Sequence, residues 1–189
     1  MVANPEFLRQ GHGFNDFISP SRIVIGGNKT QALQVMRVLY TPLIQRGVKY
    51  IETNHVSAEI AKLASNMFLS SRVTLINETA DLCEASGGYI ADVTRVLVAD
   101  KRIGGDYLQS GIGFGGTCLP KDGRLLMSAA QRLGVDVSAS KAVYDSNQRR
   151  IRCIAGRIMN LSPKRPTIAV WGVSLSPMPT AFPNLPPSR

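Results

Sequence analysis

The sequence has few cysteines, few aromatic residues and no long apolar segment. Its three cysteines, Cys83, Cys118 and Cys153, are odd in number and widely spaced, which fits neither a disulfide framework nor a zinc site. No apolar run approaches the roughly 20 residues that span a bilayer, and the segment after Met1 lacks the basic-then-apolar pattern of a signal peptide. We therefore expect a cytoplasmic protein that has no membrane segment and binds no metal.

The net charge of +9 would suit an anionic partner. The densest basic group, Arg149-Arg150-Ile151-Arg152, continues a helical pattern, which favours a solvated helix face. Aromatic residues make up only 6% of the chain and do not alternate with the basic ones, which disfavours a nucleic-acid surface. We expect no nucleic-acid partner.

The first 53 residues contain one βαβ unit. A short apolar strand at 21–27 is followed by a helical pattern at 29–45 and a second strand at 48–52. A single βαβ unit cannot cover both faces of its sheet. Residues 1–53 are therefore predicted to form the end of a larger α/β domain.

One long helix is predicted from Val56 to Ser86, a segment that contains neither glycine nor proline. At 1.5 Å per residue it would extend on the order of 45 Å, a length typical of helices between domains or subunits. Lys62 and Asn66 are four residues apart and share one face of it. From residue type alone, a solvated lysine and a hydrogen-bonded asparagine remain the commoner interpretation.

The predicted central domain, residues 54–161, is mainly helical. Further helices are expected at 90–100, at 121–133 before Gly134, and from Ser138 or Ser140 to residue 159. Cys83 and Cys153 fall in apolar helical patterns and are predicted to be core residues. Residues 162–189 begin with a linker and a strand at 167–172, the start of a second α/β domain, and end in a proline-rich tail that we expect to be disordered. The predicted fold class is mixed α/β.

The segment from Gly111 to Asp122 is the strongest candidate for chemistry. Four glycines in six positions leave backbone N–H groups open to a ligand. Cys118 follows them, close to the ammonium of Lys121, and a thiolate is the form that attacks carbonyl carbons. Two other interpretations remain open: a structural turn with a buried, inert cysteine, and a dinucleotide-binding G-x-G-x-x-G turn, although no strand precedes it.

Taken together, the motifs resemble the UDP-glucose/GDP-mannose dehydrogenase family. The resemblance extends over roughly residues 4–172 and implies that the C6 alcohol of a UDP sugar, UDP-glucose above all, becomes a carboxylate, with two NAD⁺ consumed in turn. The motifs that carry it are Asn4-Pro5-Glu6-Phe7-Leu8, Ser57-Ala58-Glu59-Ile60-Ala61-Lys62 with Asn66, Asn77-Glu78, Leu82-Cys83-Glu84, Arg102-Ile103-Gly104 and Gly113-Phe114-Gly115-Gly116-Thr117-Cys118-Leu119-Pro120-Lys121-Asp122.

The resemblance also implies a role for each catalytic residue. Cys118 would capture the intermediate aldehyde as a thiohemiacetal and carry it on as a thioester. Lys62 and Asn66 would stabilise the developing oxyanion. Asp122 would orient the hydrolytic water, and Glu6 would act as the general base.

Substrate and cofactor residues are implied in the same way. The sugar would lie on Phe7, Leu8 and the glycine loop at Phe114 and Gly115. Arg102 would reach it from a partner subunit, so that the long helix forms the centre of a homodimer or higher oligomer. On the cofactor side, Lys121 and Gln10 correspond to family positions, but Gln10 replaces a glutamate.

The resemblance leaves parts of the family pattern unmatched. The amino-terminal part of the NAD-binding domain is missing, and the tail replaces residues that help hold the nucleotide. We therefore expect a partial chain with little turnover by itself. Two alternative hypotheses are a β-hydroxyacid or 6-phosphogluconate type dehydrogenase, which has a similar lysine and asparagine, and a non-enzymatic basic helical module.

Overall fold

The computed structural model describes residues 1–9, 11–161 and 167–169. They form two compact units, Met1–Lys62 and Leu63–Ala169, and one helix continues from the first unit into the second. The elements in chain order are α1 (Gly13–Ile18), β1 (Arg22–Gly26), α2 (Thr30–Ile44), β2 (Lys49–Thr53), α3 (His55–Ser86), α4 (Ile90–Ala99), α5 (Cys118–Arg132) and α6 (Ser138–Asn160).

The first unit contains the βαβ arrangement that the sequence predicts. β1 and β2 pair in parallel, from Arg22 opposite Lys49 to Gly26 opposite Thr53, and α2 connects them. The apolar residues 23–25 of β1 are at most 5% exposed and form the core of this unit. A Cβ at Gly26 would lie 2.5 Å from the Cβ of Ala58, so only glycine fits where β1 ends beside the start of α3.

The 32-residue helix α3 confirms the predicted long helix. Its buried face in the second unit includes polar residues that hydrogen-bond within that unit, among them Asn66, Ser70 and Asn77. The opposite face carries Phe68, Leu75 and Leu82, which are 73%, 61% and 67% exposed. The apolar positions that predict the helix are therefore divided between a core face and an uncovered face.

The other helices differ from expectation in detail. α1 was not predicted, and α5 begins at Cys118 rather than at Lys121. Gly134, with a φ of +67°, follows the end of α5 as predicted, because only a residue that tolerates this conformation ends a helix in this way. No helix in the described ranges is long and apolar enough to cross a membrane.

Two cysteine predictions have opposite outcomes. Cys83 is buried, as its apolar pattern predicts, whereas Cys153 is exposed and the prediction of a core residue is wrong.

Thr167 to Ala169 lie outside any helix or strand. The linker at 162–166, the rest of the predicted strand to Gly172, and the tail lie outside the described residues.

Candidate active site

In the first unit, Glu6 and Lys62 form an ion pair, with Oε1 3.1 Å from Nζ. The other oxygen of Glu6 accepts a hydrogen bond of 2.7 Å from the N–H of Leu8. The ring of Phe7 lies beneath two cations, with its centroid 3.9 Å from the guanidinium carbon of Arg22 and 5.4 Å from Nζ of Lys62. Four predicted site residues, Glu6, Phe7, Leu8 and Lys62, therefore lie together.

The segment that follows is held by Asp16 of α1. Its carboxylate accepts from the backbone N–H of Arg9 at 2.8 Å and from the guanidinium at 2.7 and 3.0 Å. Side-chain and backbone hydrogen bonds from Arg9 lower the pKa of Asp16 to about 2, because both stabilise the charged form. Gln10, predicted to lie on the cofactor side, is outside the described residues.

In the second unit, Asn66 of α3 donates from Nδ2 to Oδ2 of Asp122 in α5 at 2.6 Å. The two residues are 9% and 4% exposed. Nζ of Lys121 lies 3.5 Å from the other carboxylate oxygen of Asp122. A buried carboxylate requires such partners because it has lost its hydration. The fold thus brings Asn66 to the neighbouring residues Lys121 and Asp122 from a distant part of the sequence.

Cys118 is the first residue of α5 and is exposed. Its Sγ lies 3.8 Å from Oγ1 of Thr117. The first N–H groups of a helix have no partner within it, so a negative charge that develops near Cys118 would be stabilised. Asp122 follows four residues later, on the same face of α5. Cys118 is therefore not buried, and that part of the alternative interpretation is wrong.

The glycine loop before Cys118 is held by three residues that sequence reasoning did not assign to the site. The N–H of Gly111 donates to Oδ1 of Asn77, and Nε of Arg150 donates to the carbonyl of Gly111. The carboxamide of Asn147 hydrogen-bonds both backbone groups of Phe114. It accepts from the N–H at 2.8 Å and donates to the carbonyl at 2.9 Å. Arg150 belongs to the basic group that the sequence assigned to a solvated face, and no local signal distinguished it.

The remaining residues of the predicted sugar site differ in their exposure and partners. The guanidinium of Arg102 is paired with Asp100 at 2.6 Å, which raises the pKa of Arg102 and lowers that of Asp100. Its side chain is 90% exposed. Phe114 is 6% exposed, whereas Gly115 is exposed.

Across the ranges described, no cluster of three or more potential metal ligands occurs.

Comparisons with known proteins agree on one class, the NAD-dependent dehydrogenases of nucleotide sugars. Residues 56–149 match the model of the UDP-glucose/GDP-mannose dehydrogenase family, central domain, and residues 1–44 match that of the NAD binding domain. The chain belongs to the UDP-glucose/GDP-mannose dehydrogenase family. This membership favours neither of the two alternative hypotheses raised by the sequence.

Individual relatives support the same assignment. The chain is 41% identical to the UDP-glucose 6-dehydrogenase of Rickettsia felis over 177 residues, which cover 92% of this chain and 40% of the relative. A UDP-glucose dehydrogenase from Pyrobaculum islandicum has a TM-score of 0.74 at 31% identity, over 85% of this chain and 35% of its own. A UDP-D-ManNAc dehydrogenase from Pyrococcus horikoshii has a TM-score of 0.73 at 28% identity, over 84% and 36%. The chain spans about 40% of the length of the curated relatives.

The chain carries part of an NAD-binding domain. β1, α2 and β2 fit the edge of a dinucleotide-binding sheet, in which ligands bind at the carboxyl ends of parallel strands. Gly111, Gly113 and Gly116, the only G-x-G-x-x-G spacing in the described ranges, follow no strand, so they are not the turn that holds a pyrophosphate after a first strand.

Proposed function

We propose that this chain carries the catalytic residues for the NAD-dependent oxidation of UDP-glucose to UDP-glucuronate. The observation that supports this most directly is the hydrogen bond between Asn66 and Asp122. It joins two residues that the family resemblance implies are catalytic, and one of them, Asp122, lies on the same helix as the exposed thiol of Cys118. Because the chain spans about 40% of its curated relatives, the activity is proposed for the enzyme of which these residues form the catalytic part.

The reaction requires two oxidations at one carbon. In the first, the C6 alcohol loses a hydride and its hydroxyl proton and becomes an aldehyde. The thiol of Cys118 then adds to the aldehyde, its sulfur bonding to the carbon and its proton passing to the oxygen, and the resulting thiohemiacetal loses a second hydride and its hydroxyl proton to become a thioester. Water attacks the thioester, which releases the carboxylate and restores the thiol. When bound, NAD⁺ supplies the chemistry of accepting each hydride.

Four polar side chains would assist these steps. Lys62 would stabilise the negative charge on the C6 oxygen at each addition, and Asn66 would donate to that oxygen or to a bound water. Asp122, buried and already bonded to Asn66, would fix the orientation of this amide. Glu6 would take a proton from the hydrolytic water, because its carboxylate is held beside Lys62.

Substrate and cofactor contacts complete the proposal. The sugar would contact Phe7, Leu8, Phe114 and Gly115, with Arg102 contributed by a second subunit. Lys121, at the start of α5, would lie near the cofactor, and Gln10 would offer an amide that cannot take a proton. UDP-glucose is favoured over other nucleotide sugars because the relatives of about 40% identity are UDP-glucose 6-dehydrogenases.

We also propose that the protein forms a homodimer through α3 and acts in the cytoplasm. The uncovered residues Phe68, Leu75 and Leu82 recur every seven residues, the spacing at which helices pack side by side. This apolar face supports a second copy of the chain as the partner. A cytoplasmic location remains a prediction from the sequence.

Alkylation of Cys118 provides a direct test. The purified chain, in a Cys153→Ala background, is treated with iodoacetamide with and without UDP-glucose, and modification is followed by mass spectrometry. We expect UDP-glucose to slow the modification of Cys118, whereas ADP-glucose at the same concentration should not. Equal rates under all three conditions would contradict the proposed function.

A further inference from the structure

The loop before Cys118 is anchored by its backbone at two points. The first anchor is Gly111, whose N–H donates to Oδ1 of Asn77 at 2.8 Å and whose carbonyl accepts from Nε of Arg150 at 2.6 Å. Arg150 also donates to the backbone carbonyl of Asn77 at 3.0 Å and pairs with Asp81 at 2.8 Å. α3 and α6 therefore hold the beginning of the loop jointly.

The second anchor is Phe114, and it depends on one side chain. The carboxamide of Asn147 satisfies both the N–H and the carbonyl of Phe114. Asn147 is 2% exposed and the ring of Phe114 is 6% exposed. A buried amide that satisfies both groups of one residue fixes the position and the orientation of that residue, since each missing bond would leave a buried polar group unpaired.

The second anchor leaves no room for a side chain at position 113, which is a glycine. Its φ is +135°, and a Cβ there would lie 2.5 Å from Oδ1 of Asn147. The amide of Asn147 thus occupies the space where any other residue would place its side chain. A Cβ at Gly115, by contrast, would have no neighbouring atom within 4 Å.

Burial changes immediately after the anchor. Phe114 is buried, while Gly115, Gly116, Thr117 and Cys118 are all exposed. Asn147 therefore holds the last buried residue before the exposed segment that ends in the thiol. Pre-organised backbone donors contribute more to catalysis than mobile ones because they need no reorganisation during the reaction.

We propose that Asn147, with Asn77, is a positioning residue that fixes the glycine loop and thereby the place of Cys118. Neither residue touches the reacting atoms in this proposal; each acts through the backbone that it holds. The proposal rests on the proposed function, since it assigns these residues a part in presenting the thiol to a nucleotide sugar.

Amide hydrogen exchange of the full 189-residue chain tests the two anchors separately. Asn147→Ala should accelerate exchange of the Phe114 amide about tenfold or more and leave Gly111 protected, while Asn77→Ala should do the opposite. Asn147→Asp keeps an acceptor for the Phe114 N–H and should restore its protection. Ser146→Ala is the matched control, because Ser146 is buried beside Asn147 but bonds Glu78 and Arg149 instead of the loop. It should change neither amide.

Uniform acceleration across α5 and α6 in Asn147→Ala, or no change at Phe114, would overturn the positioning role. A second measurement separates this result from the proposed function. The UDP-glucose concentration that half-protects Cys118 from alkylation should rise about tenfold in Asn147→Ala and stay constant in Ser146→Ala. If UDP-glucose fails to protect the parent chain, the proposed function is contradicted, and the exchange pattern still decides the positioning role.

Discussion

Asn66 and Asp122, 56 residues apart in the sequence, meet in a buried hydrogen bond of 2.6 Å. The bond ties the middle of α3 to the first turns of α5 and leaves the carboxylate almost without water. Because the amide donor compensates for lost hydration, removing either partner leaves the other unpaired. This one contact therefore serves the stability of the second unit and the orientation of two proposed catalytic groups.

Asp122→Ala should lower the free energy of unfolding by about 1–3 kcal/mol, since it leaves Nδ2 of Asn66 buried without an acceptor. Asp122→Asn keeps an acceptor oxygen and should cost less. Urea denaturation measures both. Asp136→Ala, at an exposed position, is the control and should stay within about 0.5 kcal/mol of the parent; equal losses in all three variants would contradict the structure.

Two of the three thiols should react in the native chain. Cys118 and Cys153 are exposed and Cys83 is buried, so a thiol reagent such as Ellman's should titrate two equivalents quickly and the third only after denaturation. Cys118→Ser should remove one of the fast equivalents. A single fast thiol in the parent chain would restore the sequence-based assignment of Cys153 to the core.

Gly113→Ala should destabilise the chain by about 1–3 kcal/mol. Its Cβ would clash with Oδ1 of Asn147, and its φ of +135° is strained for any side chain. Gly115→Ala is the matched control in the same loop, with open space around its Cβ, and should change stability by less than about 0.5 kcal/mol. The comparison is made by thermal denaturation, and similar melting temperatures for the two variants would be inconsistent with the anchored loop.

Leu75→Glu should convert a dimer into a monomer. The residue is 61% exposed at the centre of the apolar face formed by Phe68, Leu75 and Leu82, and burying a charge there would oppose association. Size-exclusion chromatography with light scattering reports the mass. Leu161→Glu, at a residue 85% exposed beyond the end of α6, should leave the dimer intact. A monomeric parent chain would rule out the proposed interface.

Stability should depend on pH through Asp16. Its pKa of about 2 in the folded chain lies below the ordinary value of 3.8. A depressed pKa means that the stabilisation is fully present above about pH 4 and is lost as the pH falls through 2. The carboxyl ¹³C shift of Asp16 should therefore titrate near 2, and the difference in unfolding free energy between the parent and Asp16→Asn should shrink over this range. A midpoint near 3.8 would disprove the contact with Arg9.

The sequence by itself determined the local elements. Spacing of apolar residues was sufficient for β1, α2, β2 and the 32-residue α3, because periodicity reports backbone conformation directly. Gly134 marked the end of α5 for a similar reason, since its conformation excludes most other residues. The family resemblance assembled the candidate residues Glu6, Lys62, Asn66, Cys118 and Asp122, whose catalytic roles remain predictions.

Only the tertiary structure decided which of these residues meet and what they meet. A helical pattern gives the faces of α6 but not its neighbours. The sequence therefore assigned Arg150 to a solvated face and gave Asn147 no role, whereas both side chains hydrogen-bond the loop at 111–114. For the same reason the apolar pattern of α3 did not separate its core face from its uncovered face, and the prediction that Cys153 is a core residue was wrong. Burial is set by contacts between segments distant in sequence, and no local pattern records those contacts.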